Sequence, residues 1–144
     1  MMKFIVLVLL ALTTTPAFAE EHAQTDRPKG VFDTYAELRV ELDSLVMSRR
    51  ISDLMIEFGA GDEMTQEELS DLQTRVQQIY PQDFAAVDLL RRHDLENGWR
   101  QELLVYSHQL FYLYAYVLLH QRDDDIVAVT FKFNSQFSDL NALF

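Results

Sequence analysis

The sequence predicts an α+β domain: three N-terminal helices packed on a three- to four-stranded antiparallel meander, with a short C-terminal helix. Three observations carry that prediction. Apolar residues fall at helical spacing behind capping residues through the first half of the chain. After Pro81 the apolar period changes to two. The segments that follow are rich in aromatic and β-branched residues and are separated by turn chemistry, above all Asn97-Gly98.

Thr34 followed by Glu37 reads as a capping box, and Leu38, Leu42, Leu45 and Val46 share a helical face, which predicts a helix over 34–48. Ile51, Leu54, Met55 and Phe58 make a second, shorter stripe, stopped by Gly59 and Gly61. Thr65 and Glu68 open a third helix with the stripe Leu69, Leu72, Val76, Ile79 and Tyr80, ending before Pro81. Its acidic residues Glu67, Glu68 and Asp71 sit near the N-terminal end, where the helix dipole favours them.

Residues 85–94 read as a first strand, although Val87, Leu90 and Asp94 also share a helical face. Glu96-Asn97-Gly98 is a turn, and residues 99–108, 112–122 and 126–134 are three further strands. Ser138 is positioned to cap a last turn of helix carrying Leu140 and Leu143.

Residues 1–19 have the three regions of a cleavable signal peptide. Lys3 supplies the positive start, and Phe4 to Leu12 is an apolar run far shorter than the roughly 20 residues of a membrane-spanning helix. Thr13 to Pro16 break the run, and Ala17-Phe18-Ala19 offers small residues to a signal peptidase. The expected product is exported to the periplasm or the medium, with a flexible leader over 20–30 and one domain over 31–144. The sequence has no cysteine, so a disulfide framework and a cysteine-linked lipid anchor are both excluded. A net charge of −11 disfavours nucleic acid and anionic lipid as partners.

Segregation of apolar residues to one face predicts the strand register, because a slip of one residue moves every side chain to the other face. A loop of Asp123, Asp124 and Asp125 sets Ala115, Val117 and Leu119 opposite Phe133, Phe131 and Val129. A loop of Gln109, Leu110 and Phe111 adds Leu103 and Val105 to that face, which is expected to pack on the helices. The other face then collects Arg100, Glu102, Leu104, Tyr106, His108, Tyr112, Tyr114, Tyr116, Leu118, His120, Thr130 and Lys132. Tyrosine and histidine have apolar bodies and polar tips, which suits a half-wet surface. Such a face is either covered by residues 137–144 or a second copy, or is open to a ligand.

In this register His120 and Arg100 are cross-strand neighbours, with Glu102 one pair further along. A carboxylate that orients an imidazole is the minimum for acid–base chemistry, so His120, Glu102 and Tyr116 are the catalytic candidates. The same residues make an ordinary polar ladder. The ligand or partner face is Arg100, Tyr106, His108, Tyr112, Tyr114, Tyr116 and His120. No metal-ligand spacing, calcium loop, serine-nucleophile motif or phosphate loop occurs, so neither a cofactor nor a metal is expected.

Three N-terminal helices, the Tyr80-Pro81-Gln82-Asp83-Phe84 junction and a long-stranded meander together resemble the nuclear-transport-factor-two-like superfamily, a helix-on-curved-sheet cone. More narrowly the chain resembles small exported bacterial members of it, over residues 31–144. It departs from many members in lacking a strand between the second and third helices. The resemblance implies a pocket between sheet and helices; some members are enzymes with an Asp/His pair, and many only bind or dimerise. It transfers no catalytic residue to a position in this chain.

The leading expectation is an exported non-catalytic binding module using the aromatic sheet face, with a second copy, an unidentified protein or a small apolar ligand as partner. The alternative is a small cavity enzyme, an isomerase or hydrolase built on the His/Glu pair. A third reading is a chaperone-like or envelope-maintenance protein that recognises exposed chain segments.

Overall fold

The computed structural model of the chain describes residues 26–144. The predicted signal peptide, its cleavage site and most of the predicted leader lie outside the described residues. Thr34 holds an extended backbone, and its hydroxyl accepts the N–H of Glu37 at 3.1 Å, which starts α1 (Tyr35–Met47). The return bond differs from a capping box: the Glu37 carboxylate accepts from the N–H of Asp33, not of Thr34. A second helix, α2 (Ile51–Glu57), ends where Gly59 takes a left-handed φ of +84°. After a single 3-10 turn at Gly61–Glu63, α3 (Gln66–Ile79) opens with the full box between Thr65 and Glu68. The buried positions are those of the sequence stripes: Leu38, Leu42, Leu45 and Val46 on α1, Ile51 and Leu54 on α2, Leu69 and Val76 on α3.

The sheet has five strands, not three to four. The addition is β1 (Val31–Phe32), a two-residue strand that pairs antiparallel with Val127 and Ile126. It is too short to show a period, and its segment read as the start of order and not as a strand. The others are β2 (Ala86–Asp94), β3 (Trp99–His108), β4 (Phe111–Gln121) and β5 (Ile126–Asn134), in the spatial order β1-β5-β4-β3-β2. The ambiguous segment at 86–94 is a strand, and α4 (Phe137–Asn141) follows the sheet with Gln136, not Ser138, at its N-cap.

Asn97 and Gly98 both take positive φ in the β2–β3 turn, the backbone that Asn-Gly favours. At Gly98 the requirement is also steric. A Cβ there would lie 2.3 Å from the Gln121 carbonyl oxygen, while the Gly98 carbonyl accepts the Gln121 N–H at 2.8 Å.

The β3–β4 register is shifted by one residue from the sequence expectation. The turn is Gln109-Leu110, with His108 opposite Phe111, so Leu104 faces Ala115 and Glu102 faces Val117. Gln109 takes a φ of +54°, and Leu110 is left in solvent at the tip. The shift exchanges the two faces of β3. Leu104, Tyr106 and Glu102 point at the helices, whereas Leu103 and Val105 lie opposite Tyr116 and Tyr114 on the outer face. Between β4 and β5 the expected pairs Ala115–Phe133 and Val117–Phe131 are present. A bulge after Leu118 then sets Leu119 against Ala128, not Val129, and the loop that follows is 122–125. Val129 is left exposed.

The main core lies between the helices and the inner face: Leu38, Leu42, Leu45, Leu54 and Val76 pack with Leu104, Tyr106, Ala115, Val117 and Leu119. A second, smaller core sits on the outer face, where Leu103, Tyr116 and Leu140 are buried together.

Candidate functional site

The outer face is built by β4, whose alternate residues Tyr112, Tyr114, Tyr116, Leu118 and His120 project from it, and by α4, which lies across its middle. Tyr116 is buried against Leu103 and Leu140, and its ring meets Phe144 edge-on at 5.6 Å. Gln101 fastens the cap, donating from Nε2 to the Tyr116 hydroxyl at 3.0 Å and to the Leu143 carbonyl at 2.9 Å. Arg91 adds a hydrogen bond to Asn141 Oδ1 at 2.8 Å and a cation–π contact with Phe144 at 4.5 Å. The cover is incomplete. Tyr114 stacks edge-on with Phe137 at 5.7 Å, but Phe137 is 43% and Tyr112 45% exposed. At the opposite end His120 lies flat on Trp99, centroids 4.3 Å apart with 7° between planes.

The inner face holds a polar network where an all-apolar surface was expected. Glu102 is 1% exposed and accepts from the Tyr35 hydroxyl, which is 2.9 Å from both carboxylate oxygens. Arg39 Nη1 donates to the Tyr35 hydroxyl at 3.0 Å, and Nη2 to Asp43 at 3.0 Å. Asp43 also accepts from the Tyr106 hydroxyl at 2.7 Å. The Arg100 guanidinium lies over the Tyr35 ring at 4.2 Å, with Nε 3.1 Å from Glu102 Oε1. That approach is close enough for Coulombic attraction but misaligned for a hydrogen bond, and Nε of Arg100 has no hydrogen-bond partner among the described residues. Nε of Arg39 and Nε2 of His108 share that state.

Two cations and two carboxylates thus meet between α1 and the sheet, linked by two phenols. Burial, then the nearby Asp43 carboxylate, push the Tyr106 phenol well above its ordinary value. Burial also raises Tyr35, with the charge of Glu102 acting in the same direction. Chemically the network is a neutral, interlocked ion cluster, and it spans helix to sheet as a cross-brace.

The expected face is therefore divided. Tyr112, Tyr114, Tyr116 and His120 lie outside; Arg100, Tyr106 and His108 lie inside with Glu102. His120 stands opposite Trp99, and Arg100 stands opposite Leu119, so His120 and Arg100 are not cross-strand neighbours. His120 and Glu102 occupy opposite faces and cannot exchange a proton directly. Tyr116 is bonded to Gln101 and enclosed by the cap, away from both. The sequence reading missed Tyr35, Arg39 and Asp43. Their spacing at i, i+4 and i+8 on one helix face was the available signal, hidden among ordinary surface polarity.

A cleft of about 180 Å³ opens at the end of the sheet beside Asp94, Trp99, Arg100 and Gln121, and another of about 250 Å³ beside Lys29, Gly59 and Gln66. Both are smaller than the ~300 Å³ at which sites for drug-sized ligands begin. Among the described residues no group of three or more His, Asp or Glu is placed to hold a metal ion. No described helix is long and apolar enough to cross a membrane. Comparison with family models, curated proteins and solved structures returns no match.

Proposed function

We propose that the chain is an exported, non-catalytic interaction module that takes an apolar or aromatic partner segment on the outer face of its sheet. The observation that carries this reading is the partial cover of that face: Phe137 and Tyr112 stand in solvent beside the buried group of Leu103, Tyr116 and Leu140. Aromatic rings with polar tips supply large contact area at low entropic cost, which is why they concentrate in interfaces. The three helices between β1 and the β2–β5 meander cover one face of the sheet and leave the other to α4 and the residues after it, which suits a scaffold that presents a sheet face. Separation of His120 from Glu102 by the thickness of the sheet favours binding over the acid–base alternative.

Export is tested by N-terminal sequencing of the protein recovered outside the cytoplasm, which should begin near Glu20. Binding is tested with a photo-crosslinking residue at Tyr112, introduced in the producing cell. A discrete adduct that disappears in a Phe137→Ser background is expected, with the melting transition of Tyr112→Ser within about 0.5 kcal/mol of the parent because the side chain is exposed. Retention of residues 1–19 would remove the exported part of the reading. Adducts unchanged by Phe137→Ser would remove the aromatic face as the contact.

A further inference from the structure

We infer that β2 is a self-association edge, along which two copies pair antiparallel into one continuous sheet. This stands independently of what the outer face binds. β2 is at the end of the strand order and is bonded to β3 alone. Among the described residues no other backbone group bonds to Ala86–Asp94. It is nine residues long, and every residue but Val87 is exposed. Leu89 and Leu90 at its middle are 45% and 47% exposed. A long unpaired strand with apolar residues at its centre is a template for another strand. The opposite edge is different: β1 occupies part of it, and its free stretch carries Lys132 and the bulged Val129.

The choice of a second copy rests on charge and on the bulge in β2. Asp88 lies opposite Val105 and Arg91 opposite Leu103, so Asp88 and Arg91 share the outer face. In an uninterrupted strand residues three apart point to opposite faces; the bulge between Leu89 and Arg91 removes that difference. A two-fold axis between Leu89 and Leu90 then sets Asp88 of each copy against Arg91 of the other, and the leucines against each other. Parallel pairing through the same edge would turn one copy over and put the Asp88 and Arg91 side chains of the two copies on opposite faces, so that no charge pair forms. Asn141 engages only Nη1 of Arg91 and the Phe144 ring packs on the face of its guanidinium, which leaves Nε and Nη2 without a side-chain partner among the described residues and able to meet Asp88 of the other copy.

The test is sedimentation equilibrium of the purified protein from micromolar to submillimolar concentration, with hydrogen exchange on β2. A reversible dimer is expected, with β2 amides protected as it forms. Asp88→Arg and Arg91→Asp should each weaken association about tenfold or more, and the double swap should restore it, since the swap recreates both pairs. Circular dichroism melting of each variant separates lost pairing from lost fold. A monomer throughout would overturn the proposal and make the charges and bulge of β2 protective devices. A dimer indifferent to Asp88→Arg, or one lost with Phe137→Ser instead, would place the second copy elsewhere and overturn it equally.

Discussion

The two faces of the sheet solve the same problem, how to leave water, with opposite means. The inner face is covered by three helices and tolerates a buried charge, because Tyr35, Arg39 and Arg100 converge on Glu102. The outer face is covered by one five-residue helix and the residues after it, and it is almost wholly aromatic and aliphatic at its centre. Where cover is thick, polar groups can be satisfied by protein partners. Where cover is thin, polar tips reach water directly and the apolar bodies do the packing. Stability should therefore be concentrated on the inside and adaptability on the outside.

The largest expected effect breaks the inner face. Glu102→Ala leaves Arg39 and Arg100 without their shared counter-charge, and about 3–5 kcal/mol should be lost in denaturant unfolding. A loss below about 1 kcal/mol would mean that the arginines recover solvent easily, and the contrast between faces would fail. Next, Leu140→Ala on the outer face should cost about 2–3 kcal/mol, near the low end for buried leucine because the thin cap can settle. Tyr112 and Tyr114 should then become more accessible to iodination or nitration.

The smallest effect sharpens the comparison by pH. Tyr106 has its phenol raised by burial, so folding favours the neutral form. Its contribution is complete below the unfolded value of about 10 and is lost as pH rises toward the folded one. Tyr106→Phe removes the bond to Asp43, at about 1 kcal/mol near neutral pH, and should flatten the alkaline decline in stability relative to the parent. Parallel declines would exclude Tyr106 as its source.

Much of this fold is legible in the sequence because local chemistry and tertiary structure agree. Thr65 and Glu68 cap α3, Gly59 follows α2, and Asn97-Gly98 turns β2 into β3. The site is legible only in part, and Glu102 explains why. The rule that one sheet face is apolar treats a carboxylate as misplaced there. Its partners Tyr35 and Arg39 come from a helix more than sixty residues away, so no local pattern announces them. The turn at Gln109-Leu110 gave no warning either, since glutamine seldom takes positive φ. One wrong turn length exchanged both faces of β3, and with it Arg100, Tyr106 and His108 changed sides.

The two-residue strand β1 has a consequence for the order in which the chain assembles. β2 to β5 form by successive short hairpins, each closing a small loop. Val31 and Phe32 must instead find Val127 and Ile126 across nearly the whole described chain, and Gly30 then takes the N–H of Ala128 at 2.8 Å. Loop-closure entropy makes such a contact costly until the helices and meander have brought the ends together. β1 is thus a clasp: its pairing with β5 becomes favourable only once the helices and the meander have brought the two ends of the described chain together.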